Sequence, residues 1–171
     1  MMPTPVDLLI EARWIIPVEP DDTTLEHHAI AVERGKIVAI LPLADARARF
    51  TAAKTVSLPE HILIPGLVNL HCHAAMTLMR GLADDLPLMR WLQEAIWPTE
   101  ARHASHAFVR DGSLLAGAEM LRGGITTCND MYFFPEATAE AFDRLGLRAV
   151  LGITLLEFPS QYAADADDYL R

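Results

Sequence analysis

A chain of 171 residues, 51% hydrophobic and 22% charged, is long enough to bury a core and too apolar to be disordered. Its formal charge of -9, from 14 Lys and Arg against 23 Asp and Glu, repels a phosphate backbone, and no basic cluster offsets it, so a nucleic-acid polymer is excluded as a partner. No window approaches the roughly 18 apolar residues of a membrane span, no export signal opens the chain, and Cys72 and Cys128 make neither a disulfide framework nor a CxxC site, which together predict a cytoplasmic protein without membrane contact.

Residues 1–64 read as a small, mostly β, sandwich-like module. "VDLLIEARWIIPV" and "AIAVERGKIVAIL" are strand-like, with "ERGK" as the turn of a hairpin. "LADARARF" reads as one or two helical turns, and "TVSL" and "HILI" as two further short strands. Pro65-Gly66 then punctuates the chain as a domain junction does.

From residue 65 to 171 the rhythm changes to strand, helix, strand, helix. "LVNLHCH" is a strand and "PLMRWLQEAIW" a helical region. A long helix is expected near residues 103–122, where Ala107, Phe108, Leu115, Ala118 and Leu121 recur at helical spacing before Gly123-Gly124. "ITTCNDMYF" is the second strand, "EATAEAFDRLG" a helix ending at Gly146, "LRAVLGITLLEF" the third strand, and "YAADADDYLR" an incipient helix. Alternation of this kind predicts an α/β fold with a parallel sheet. A (β/α)8 barrel needs about 250 residues, so this part supplies its first three strands, and the chain reads as interrupted.

Residues at i and i+2 of a strand share a face, so His71 and His73 point the same way as Leu67 and Asn69, and Cys72 points the other way. Two such imidazoles at the C-terminal end of a barrel strand can supply half of a tetrahedral zinc site, with Zn–N distances of about 2.0 to 2.1 Å. The same pair also serves as an ordinary polar strand end, and spacing alone leaves both readings open.

The stretch "LIPGLVNLHCHAAMTLMRGLADDLPLMRWLQEAIWPTEA" resembles the start of the barrel in the amidohydrolase superfamily. It is most similar to the 5-methylthioadenosine/S-adenosylhomocysteine deaminases and their triazine-hydrolase relatives. The likeness runs the whole chain: a small β module, the PG junction, H-x-H, "RGLADDLPL", "WP-E", and "DMYFF" after a glycine-ended helix. The resemblance implies the N-terminal part of a metal-dependent (β/α)8 barrel whose first two ligands are His71 and His73. A third histidine and an aspartate would come from later strands, together with the residues that move protons, so no catalytic residue is expected within this chain. One divalent ion, zinc or iron, is implied, with a nucleoside and water as partners and a homo-oligomer when complete. Strands from the far C-terminus would complete the small module.

Glu100, just after Pro98, reads by itself as a carboxylate favoured at a helix N-terminus. The resemblance assigns it to the ribose hydroxyls, which a carboxylate can accept in pairs. Trp91 reads equally as a pocket wall for a flat base and as core. His103 and His106, three apart on one helix, are expected to face solvent, Asp84 and Asp85 to form a solvated turn, and His27, His28 and His61 to carry no chemistry. Asp130 falls on the functional end of the second strand without an assigned role. Some deaminases of this family carry a substrate-holding arginine where this chain has Gly152-Ile153-Thr154, a departure that counts against a preference for methylthioadenosine or adenosylhomocysteine and leaves the metal reading untouched.

The expected function is thus the N-terminal segment of a hydrolytic deaminase acting on 5-methylthioadenosine, S-adenosylhomocysteine or adenosine and releasing ammonia. Its rivals are a related amidohydrolase acting on a triazine or another amine-bearing ring, and a non-catalytic truncated product. Residues 1–171 alone are expected to be inactive and incompletely folded.

Overall fold

The computed structural model describes residues 2–170, and the chain divides into two compact units, Met1–Pro65 and Gly66–Arg171. In the first, β1 (Thr4–Ile15), β2 (Leu25–Glu33), β3 (Lys36–Pro42) and β4 (Phe50–Leu63) form one sheet in the order β3-β2-β1-β4. β1 runs antiparallel to β2 and parallel to β4. Arg34 and Gly35 both have positive φ, as a two-residue hairpin turn between right-twisted strands requires. Helix α1 (Leu43–Arg49) lays Ala46 on Val6, Leu9, Ala29, Ala31 and Phe50. Where a sandwich-like module is expected, the described residues supply a single sheet with one helix.

"TVSL" and "HILI" are not two strands but parts of the continuous β4. Ala12 pairs with Leu58 and Trp14 with Ile62, so β4 spends two extra residues there. The resulting bulge contains Pro59, whose missing N–H a regular ladder would not tolerate.

The second unit has a three-stranded parallel sheet in the order β5-β6-β7, from β5 (Leu67–Cys72), β6 (Ile125–Tyr132) and β7 (Arg148–Ile153). A 3-10 segment, Ala74–Met79, follows β5. Residues 88–103 are helical throughout: α2 (Leu88–Trp91), a π-helical turn (Leu92–Ile96) and α3 (Trp97–His103). Then come α4 (His106–Arg122) and α5 (Pro135–Leu145), the latter ended by Gly146 in the left-handed conformation. The core joins Ala116 and Met120 of α4, Cys128 of β6, and Ala141 and Phe142 of α5. Among the described residues no helix is long and apolar enough to cross a membrane.

Several expectations are corrected. The long helix starts at His106, capped by Ser105, whose hydroxyl accepts from the Phe108 N–H at 3.2 Å; His103 ends α3, so it does not share a helix with His106. The buried face of α4 is Val109, Gly112, Ser113, Ala116, Gly117 and Met120, whereas Leu115 is 43% exposed. Close packing selects the small residues: a methyl group at Gly112 would fall 2.6 Å from the Ala75 carbonyl oxygen. A count of apolar side chains does not register glycine or serine as interior. The third strand stops at Ile153, and among the described residues of the last segment only Asp168–Leu170 is helical, as one 3-10 turn; Arg171 lies outside the described residues.

Candidate metal and substrate site

The C-terminal ends of β5 and β6 build the site. Asn69 pairs with Cys128 and Cys72 with Asp130, so β5 carries one extra residue over this stretch. β5 ends at Cys72, and His73, expected as a strand residue, turns off it with φ -126° and ψ 72° into the 3-10 segment. The two imidazoles still meet, with ring centroids 4.9 Å apart and planes at 81°.

His73 is oriented by β6. Its Nδ1 lies 2.5 Å from the Met131 carbonyl oxygen, which can only accept, so Nδ1 is the donor and Nε2 is the nitrogen left to a ligand in the neutral ring. A backbone acceptor on the far nitrogen is the usual means of aiming a metal-ligating histidine. The next residue is also held, because the Ala74 N–H donates to the Asp130 carboxylate at 2.6 Å. Asp130 is 2% exposed; burial pushes its carboxyl above the ordinary range, and bonds from the Ala74 N–H and the Cys72 thiol oppose that shift. Burial beside Asp130 raises the Cys72 thiol to about 12 and the Cys128 thiol to about 11, so neither offers a thiolate at neutral pH.

Glu100 sits in α3, and because residues 88–103 are continuously helical it does not occupy a free helix N-terminus. The macrodipole therefore does not account for it. Burial raises its carboxyl above the ordinary range, against the bond donated by the Tyr132 hydroxyl to Oε1 at 2.8 Å.

His73 and Glu100 line one cavity of about 190 Å³, with Trp91, Trp97, Met131 and Tyr132 among its walls. This resolves Trp91 as a wall residue, its indole N–H reaching the Leu82 carbonyl at 3.3 Å. His71 contacts His73 but does not line the cavity. A second hollow of about 250 Å³ shares Trp97, Glu100 and Phe133 with the first. Tyr132 and the Met131 carbonyl were invisible to the sequence reading; the only signal was the position of "DMYF" at a strand end. Among the described residues no group of three or more His, Cys, Asp or Glu side chains converges as a metal site. The pair of imidazoles, one with its free nitrogen fixed from behind, nonetheless suits part of a divalent-metal site.

Residues 62–169 match the amidohydrolase family. The chain is 47% identical over 98% of its length to a 5-methylthioadenosine/S-adenosylhomocysteine deaminase of Saccharophagus degradans, and spans 38% of that protein. It superposes on an adenosine deaminase of Xanthomonas campestris with bound zinc, with TM-score 0.96 and 53% identity over 99% of this chain and 38% of that one. An atrazine chlorohydrolase of Arthrobacter aurescens complexed with zinc shares the fold at TM-score 0.80 and 24% identity, over 95% of this chain and 40% of that one.

Proposed function

Since the chain belongs to the amidohydrolase family, we propose that it is part of a metal-dependent deaminase of adenosine-type nucleosides, and that Gly66–Arg171 forms the first three β/α units of a (β/α)8 barrel. The observation that carries this reading is the shared cavity: His73 and Glu100, 27 positions apart in sequence, face one space walled by two indoles. The names of the similar deaminases and the zinc in the Xanthomonas campestris structure support it. Free thiols at Cys72 and Cys128 suit a cytoplasmic protein.

His71 and His73 would hold the divalent ion, with zinc favoured by that similarity. Bound there, the ion would lower the pKa of a water toward about 7 and so make a nucleophile available at neutral pH. The chain's own residues do the positioning. Met131 fixes the His73 ring through Nδ1, which would leave Nε2 to hold the ion, and Trp91 and Trp97 offer flat faces to a purine. Glu100 accepts hydrogen bonds from the ribose 2′- and 3′-hydroxyls, which places the base relative to His73.

Ammonia release by the complete protein from 5-methylthioadenosine, S-adenosylhomocysteine and adenosine, against adenine and an aminotriazine, tests the proposal. Turnover of the nucleosides is expected, with Glu100→Gln raising their KM about tenfold at unchanged metal content. His71→Ala and His73→Ala should each lose metal and turnover. Faster turnover of a ring lacking ribose, unaffected by Glu100→Gln, would overturn it in favour of a triazine-type substrate.

A further inference from the structure

We infer that Tyr132 is a positioning residue for Glu100, its hydroxyl fixing the rotation of the carboxylate so that Oε2 is presented to the substrate diol. The inference rests on the reading of Glu100 as the diol acceptor. Tyr132 is the last residue of β6, and is 6% exposed. Its hydroxyl donates to Oε1 of Glu100 at 2.8 Å, linking the strand end to α3. A glutamate's terminal torsion is otherwise broad and roughly two-fold, so a half-buried carboxylate without this donor would sample several orientations. Tyr132 does not compete with a diol, because an ionised carboxylate has about four acceptor positions and the tyrosine occupies one.

The same strand end also sets the other side of the site. Met131, the preceding residue, accepts the His73 Nδ1–H, and the Tyr132 ring lies 6.5 Å from the His73 ring, centroid to centroid. Two consecutive residues of β6 thus hold the metal-side imidazole and the substrate-side carboxylate in one frame. The spacing between the His73 imidazole and the Glu100 carboxylate is therefore set from this strand end.

The test is a double-mutant cycle in the complete protein, with Tyr132→Phe, Glu100→Gln and both together, on adenosine and 2′-deoxyadenosine. Tyr132→Phe keeps the ring and removes only the donor. It is expected to raise KM for adenosine about five- to tenfold, with kcat and metal content within about twofold of wild type, and to change KM for the deoxynucleoside much less. In the Glu100→Gln background it should add little. A raised adenosine KM in Glu100→Gln together with an unchanged one in Tyr132→Phe sinks the inference alone. Equal effects on both nucleosides, or fully additive effects of the two substitutions, also sink it. An unchanged adenosine KM in Glu100→Gln removes the diol reading and the inference with it.

Discussion

Replacing Gly112 by alanine sets helix propensity against packing, and the structure decides the sign. In the middle of α4, Gly→Ala should stabilise by about 1 kcal/mol through backbone entropy. The added methyl, however, would lie 2.6 Å from the Ala75 carbonyl oxygen and 2.9 Å from the Ala75 Cα, both backbone atoms. Ala75 cannot slide away cheaply: it is fully buried, and its neighbour Ala74 is tied by its N–H to Asp130. Overpacking a tight interior costs about 1 to 3 kcal/mol, with the upper part of that range expected against backbone. The net expectation is a loss of about 1 to 2 kcal/mol, combining those two terms. Because Ala74 and Ala75 directly follow His73, metal affinity should fall as well. Gly117→Ala is the control, since its methyl meets the Leu145 Cδ1 at 2.5 Å, the tip of a side chain that can rotate, and should be close to neutral. Urea unfolding and metal titration of the complete protein measure both variants. A Gly112→Ala protein as stable as wild type with undiminished metal affinity, or a Gly117→Ala protein that loses more, would refute the reasoning.

Asp130→Asn should cost about 1 to 3 kcal/mol in chemical denaturation, because a buried amide replaces the charged acceptor of the Ala74 N–H, and should lower retained metal; no change in either contradicts the role given to Asp130. In the small module, Arg47 donates to both oxygens of Glu11 at 2.7 and 2.8 Å and holds its carboxyl below the ordinary range, with burial opposing. A depressed folded pKa gives stability that is present above the unfolded value near 4.5 and is lost as pH falls through the folded value, so Glu11→Gln should flatten the fall of Tm on acidification; a parallel curve counts against this. Cys128, 1% exposed and pushed to about 11, should resist a thiol reagent at neutral pH until denaturant is added, and prompt labelling of the folded protein would contradict its burial. Residues 1–171 expressed alone should release no ammonia from adenosine, since the described residues bring together no group of three or more His, Cys, Asp or Glu side chains, and measurable release would overturn that expectation.

Much of this protein is written in short-range sequence pattern. The ERGK hairpin, the parallel β/α alternation and the Gly146 helix stop are all present as the residues predict. These features are legible because turn chemistry and periodicity act over a few neighbouring residues. The juxtaposition of His71 and His73 follows the same rule, although β5 reaches it through an irregular ladder rather than a flat strand face. Tertiary structure decided the rest. The free nitrogen of His73 is set by a carbonyl 58 residues away, and the setting of Glu100 by a hydroxyl 32 residues away. The interior face of α4 is chosen by the close approach of the Ala75 backbone and of α5, which places Gly112, Ser113 and Gly117 inside beside Val109, Ala116 and Met120 and leaves Leu115 outside. Each of these contacts depends on the register of β5 on β6 and on how closely α4 can approach, and a single extra residue in a strand, or one methyl group on a helix, changes both without altering any local pattern.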